Sequence, residues 1–134
     1  MTRATTPRIP SVAFAVVEKV GLTLPGVAVA TKYDGSPLLK LGGCFMAGLA
    51  THATAEPDTL VVRISPDDRA LLVADAPDTY YVTDYHQKHP VVLVRLSRIK
   101  RDALRDILAV SWRLTAAKSR RATASPRGSS SRSA

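Results

Sequence analysis

The dipeptide Gly42-Gly43 stands between two apolar runs, residues 37–41 (PLLKL) and 44–50 (CFMAGLA). A two-residue connection with a positive φ at both positions suits glycine and matches the right-handed twist of paired strands. The segment therefore predicts a β-hairpin, and the rest of the chain must supply layers that cover it. Two further segments carry β-branched residues. Residues 59–64 (TLVVRI) alternate as a strand, and residues 91–96 (VVLVRL) give the clearest strand in the sequence. A short strand is predicted at 80–83.

Helices fill the gaps. Ser11 after Pro10 is a good N-cap for a first helix with Val12, Ala13, Val16, Val17 and Val20 on one face, ended by Gly21 and the turn Leu24-Pro25-Gly26. Ser65-Pro66-Asp67-Asp68 is a helix start with a cap, a proline at the first turn and acids at the positive end of the dipole. That helix stops before Pro77. A last helix opens at Asp102, with Leu104, Ile107, Leu108, Ser111 and Trp112 on one face. The order is α-β-β-β-α-β-β-α. It predicts an α+β domain of two layers, a mostly antiparallel five-stranded sheet with helices packed on one face. Residues 1–10 read as a flexible N-terminal arm, 11–118 as the domain, and 119–134 (SRRATASPRGSSSRSA) as a disordered basic tail with nothing to bury.

Charge is placed unevenly. The net charge is +8 over 134 residues. Residues 113–134 hold six basic residues and no acid, Arg3 and Arg8 supply the remainder, and residues 9–112 balance at zero. A polybasic segment binds nucleic acid or other anionic surfaces by releasing counterions. Strand alternation adds a second cationic set. If the apolar faces of the strands meet the helices, Lys40, Arg63 and Arg95 leave the sheet on the opposite side, where they suit a phosphate backbone. Val61, Val91 and Leu93 share that side and point to partial cover, for which a dimer partner is one candidate. Arg98, Lys100, Arg101 and Arg105 form a third set before and within the start of the last helix, where backbone N–H groups also favour phosphate. A small-molecule pocket between sheet and last helix, lined by Tyr81 and Trp112, is a further possibility.

Catalytic patterns are absent. Asp84, His86 and His89 are the densest group of metal-ligating types, but no second cluster exists and the remaining histidine is His52. No Gly-x-Ser-x-Gly elbow and no Gly-rich phosphate loop occur. The lone Cys44 lies in a predicted strand as a small core residue, and it can form no disulfide within the chain. No stretch approaches 18 apolar residues, so no membrane span is expected. The chain is expected to be cytoplasmic and non-enzymatic, with no cofactor and no metal.

Six segments in register resemble the MmcQ/YjbR family: Leu24-Pro25-Gly26-Val27, Pro37-Leu38-Leu39-Lys40-Leu41-Gly42-Gly43, Leu60-Val61-Val62-Arg63, Ser65-Pro66-Asp67-Asp68-Arg69, Tyr81-Val82-Thr83-Asp84-Tyr85-His86 and Pro90-Val91-Val92-Leu93-Val94-Arg95-Leu96. The resemblance runs from about residue 11 to 118. It implies a CyaY-like α+β fold and a predicted DNA-binding function with a double-wing motif. Thr83, Asp84, Tyr85, His86 and Pro90 fall on the family motif. Here the motif departs from the usual pattern. The customary His-Tyr is inverted to Tyr85-His86, Lys88 replaces a glycine, and His89 precedes Pro90. The CyaY-like fold also raises iron binding through an acidic ridge, but helix one offers only Glu18 beside Lys19.

The expected function is therefore nucleic-acid binding, with DNA as the partner. Loops around Gly42-Gly43 and 84–90 would act as wings. The contacts would come from Lys40, Arg63, Lys88, Arg95, Arg98, Lys100, Arg101, Arg120 and Arg121. The alternative is a protein-interaction or homodimerisation module that binds no nucleic acid.

Overall fold

A computed structural model describes residues 14–124, with side chains described to residue 120. The expected N-terminal arm, the helix start at Ser11 and the segment 125–134 lie outside the described residues.

The elements follow in order α1 (Phe14–Gly21), β1 (Val27–Thr31), β2 (Pro37–Leu41), β3 (Cys44–Leu49), β4 (Thr59–Arg63), α2 (Pro66–Asp75), β5 (Tyr80–Tyr81), a 3₁₀ turn (His86–Lys88), β6 (Val91–Arg95) and α3 (Arg101–Ala124). One antiparallel sheet has the strand order β1-β2-β3-β4-β6-β5. The fold is thus α+β, as expected, but the sheet has six strands where the sequence suggests five. The additional strand is β1 (VAVAT), an edge strand whose two alanines give little β signal. The strand expected at 80–83 shortens to Tyr80–Tyr81, because Val82 and Thr83 turn away to begin a long connection.

Gly42 and Gly43 form the expected tight turn, with φ of 59° and 79°. Ser65 caps α2 by accepting a hydrogen bond from the Asp68 N–H (3.1 Å), and Pro66 takes the first helical position. The helices cover one face of the sheet. Leu39, Ala47, Leu60, Val62, Val92 and Val94 meet Val17 of α1 and Leu104, Ile107 and Leu108 of α3 in one cluster. Gly21 is needed there, since a Cβ would lie 2.5 Å from Leu39 Cδ1.

Helix α3 runs to Ala124, so residues 119–124 are helical and not part of a disordered tail. The segment KSRRATA is composed mainly of good helix formers, and Thr115 and Ala116 are buried just before it. Cys44 is half-buried, so it stands at the margin of the core. Among the described residues no helix is long and apolar enough to cross a membrane.

Candidate nucleic-acid interface

Period-two alternation does send Lys40, Arg63 and Arg95 to the sheet face opposite the helices. That face is not open. Leu93 and Thr59 are almost fully buried on it, and Leu38 and Val91 nearly so. The cover comes from the chain itself. The connection 82–90 folds back so that its 3₁₀ turn packs against β6, and His86 is 5% exposed. Thr83 Oγ1 holds His86 Nδ1 at 2.7 Å, accepts from the His86 N–H (3.2 Å) and contacts Thr54 Oγ1 (3.2 Å) of the 50–58 connection. Tyr85 stacks on His52, with ring centroids 3.7 Å apart. The connections 50–58 and 82–90 therefore meet over the strands. Burial, then His52, His89 and Lys32, push the His86 imidazole below its ordinary value, so it favours the neutral form.

This closure uses up two of the three expected sheet-face cations. Arg95 Nε and Nη2 donate to both oxygens of Glu56 (2.9 and 2.8 Å). Its Nη1 donates to the Pro77 and Asp78 carbonyls (3.0 and 3.1 Å), and its guanidinium lies 4.3 Å from the Tyr81 ring centroid. Arg63 is half-buried and donates from Nε to the Phe45 carbonyl (2.8 Å). Both arginines are struts of the fold, and the expectation that they point freely to solvent is corrected. Lys40 on β2 and Lys88 on the 3₁₀ turn are exposed. The stretch 84–90 lies down on the sheet through His86 and presents Lys88 on its outer side. Asp84 is exposed, and the Pro90 carbonyl accepts from the Ile64 N–H (2.9 Å). Of the motif residues, Thr83 and His86 thus close over the second face, while Tyr85 and Pro90 stay exposed.

The other cations fall on the helical side. Arg98, Lys100, Arg101 and Arg105 are exposed around the start of α3, and Arg120 is exposed near its end. Arg121 lies on α3, with its side chain outside the described residues. A groove of about 380 Å3 runs between α1 and α3, lined by Ala15, Val16, Val20 and three cations, Lys19, Arg101 and Arg105. Of these three, Arg105 alone has an ion pair among the described residues, an exposed contact to Asp102 at 3.4 Å. Such a pair is weak in water. Lys19 is the member that sequence reasoning missed. Its position on helix one gives no sign that α1 packs beside α3.

The proposed pocket between Tyr81 and Trp112 does not form. Tyr81 Oη bonds Thr59 Oγ1 (2.7 Å) on the second face, and Trp112 Nε1 donates to the Pro25 carbonyl (2.8 Å). Among the described residues no group of three or more His, Cys, Asp or Glu side chains is arranged to hold a metal ion.

A family model for YjbR matches residues 22–114, from the end of α1 well into α3. The chain belongs to the YjbR family. Uncharacterised proteins of Mycobacterium tuberculosis and Mycobacterium bovis are 35% identical to it over 72 residues. That match takes in 51% of this chain and 56% of the relatives' own length, so the chain spans little more than half of them. A crystal structure of a Deinococcus radiodurans protein with a DUF419 domain superposes with a TM-score of 0.65. It is 21% identical and covers 82% of this chain and 83% of its own, which shows a shared fold.

Proposed function

We propose that this YjbR-family chain is a non-enzymatic, cytoplasmic nucleic-acid-binding domain. In this reading its phosphate-binding surface is the groove between α1 and α3 and not the sheet face. The observation that carries the reading is the set Lys19, Arg101 and Arg105 lining one concave surface, with Arg98 and Lys100 exposed beside it. A concave cationic surface concentrates polyanions, and contacts of this kind position a backbone without reading bases. DNA is the preferred partner. Lys40 and Lys88, at the two loops expected to act as wings, and the basic C-terminal segment add non-specific affinity.

The test is fluorescence anisotropy of the full chain with labelled duplex and single-stranded oligonucleotides over a range of salt. Lys19→Ala with Arg101→Ala and Arg105→Ala should weaken duplex binding. The log–log salt slope should fall by about 0.9 per lost contact, hence up to about 2.7. Arg95→Met should leave the slope unchanged. A triple variant that binds like the wild type would overturn the assignment to this groove. Absence of binding at low salt would overturn nucleic-acid binding itself.

Self-association is a second reading, favoured by β1. This edge strand carries no charge or proline, and Ala28, Val29 and Thr31 on it are exposed, so its outer ladder, unpaired among the described residues, suits a second copy. Sedimentation of the chain with and without Val29→Lys distinguishes it.

A further inference from the structure

A second groove lies between α3 and α2. It encloses about 310 Å3, within the size range of about 300–1,000 Å3 typical of small-molecule sites. Ile64 and Ile107 are buried in its floor, and Leu72 and Val110 are half-buried against it. Helix α2 leaves the groove unsealed. It has no buried residue, and Leu71 at the rim is 70% exposed.

The polar groups here are unusual for an apolar cleft. Tyr80 lines the groove while only 6% exposed, and its hydroxyl makes no hydrogen bond among the described residues. The hydroxyl is therefore open to the groove, since among the described residues Thr115 Oγ1 is the one side-chain oxygen buried without a partner. The ionisable side chains lining the groove besides Tyr80 are Asp68 and Asp106, both without an ion-pair partner among the described residues. The α2 arginine does not reach in to neutralise them, because Arg69 Nη1 donates to the His89 and Val91 carbonyls (2.9 and 3.1 Å). The Tyr80 phenol is held above its ordinary value by burial first and then by Asp106 and Asp75, so it stays protonated in a negative field.

We infer that this groove binds a small organic ammonium ion with an apolar body, the charge held by Asp68 and Asp106 and its N–H groups directed to the Tyr80 hydroxyl. A neutral ligand would take two carboxylates out of water with nothing in return, and an anion would be repelled. An ammonium group satisfies the carboxylates and the phenol together, while the aliphatic floor takes the body of the molecule. The assignment is independent of nucleic-acid binding, which uses the opposite flank of α3.

The experiment is an amide NMR titration of the full chain near neutral pH with phenethylamine, 2-phenylethanol and phenylacetate, which share a ring and differ in the polar end. The amine should shift the amides of Leu72, Tyr80, Ile107 and Val110, with the alcohol about tenfold weaker and the acid silent. Asp68→Asn with Asp106→Asn should bring amine and alcohol to within about threefold of each other. Ala103→Phe, which fills the groove from α3, should remove the shifts. Dispersed spectra establish that each variant is folded, and the two asparagine substitutions are exposed. An alcohol that binds as well as the amine would overturn the inference. So would an amine effect unchanged by the asparagine pair, or no shift at those amides with amine at about 10 mM.

Discussion

Leu93→Ala tests whether the sheet has two buried faces or one. Leu93 is fully buried on the face away from the helices, paired with Val61 and Tyr81 across β4 and β5, on the strand against which the 3₁₀ turn packs. The substitution removes three carbon atoms, about 2.4 kcal/mol of transfer free energy at about 0.8 per carbon. The cavity adds to this, since the flanking strands cannot collapse, and buried Leu→Ala changes cost roughly 2.7–5.0 kcal/mol. We expect about 3–4 kcal/mol, a large part of a total stability of roughly 5–15 kcal/mol. At about 4 °C per kcal/mol for a domain of this size, the melting temperature should fall by about 12–16 °C. Urea titrations of the full chain give the same quantity from the midpoint at constant slope. The control is Leu71→Ala, 70% exposed on α2, which should stay within about 0.5 kcal/mol of wild type. If Leu93→Ala loses less than about 1 kcal/mol, the connection does not seal the face. Arg63 and Arg95 would then return as surface cations.

Further outcomes follow from the same geometry. Arg95→Met and Glu56→Gln should each destabilise the chain, and the double variant should lose less than the sum, since each single change strands the other partner; additive losses in urea midpoints would refute the strut. Gly48→Ala should cost about 1–3 kcal/mol in the same titrations, because its Cβ would lie 2.7 Å from Leu38 Cβ and 3.3 Å from Leu38 Cα. The depressed His86 means that the native state binds fewer protons than the unfolded chain. Stability should therefore decline as pH falls below the ordinary value of 6.5 and level off once pH passes the folded value. His86→Gln should flatten that part of the profile, and an unaltered slope would refute it.

Local chemistry made much of the fold legible. Gly42-Gly43, the Ser65-Pro66 helix start and the valine-rich runs need only near neighbours to be read, and each stands where expected. What escaped was set by partners distant in sequence. Glu56 lies 39 residues from Arg95, so no spacing rule shows that they pair. Tyr81, expected in a pocket on the helical side, lies on the second face against Thr59; both faces proved to be covered, and the groove formed beside Tyr80. The alanines of β1 weakened its strand signal. The composition of 119–124 suggested disorder because serine and arginine also fill tails, while the same residues continue a helix already anchored by Leu104 and Leu108.

The helical layer explains how a core with balanced charge can present a polar field. On α3 the basic pair Arg101 and Arg105 and the acidic pair Asp102 and Asp106 each repeat at i, i+4, displaced from one another by about 100° around the axis. Arg101 and Arg105 look toward α1 and join Lys19, whereas Asp106 looks toward α2 and joins Asp68. One helix thus separates a cationic groove from an anionic one. With Arg63 and Arg95 bound inside the fold, the net charge of the central region cancels only on average. On the proposed function a polyanion is drawn to one flank and repelled from the other, and on the further inference an organic cation has the reverse preference. On this reading the orientation of a bound nucleic acid follows from the phase of two dipeptides, Arg101-Asp102 and Arg105-Asp106. Exchanging the residues within each dipeptide should move both affinities while leaving composition and net charge untouched.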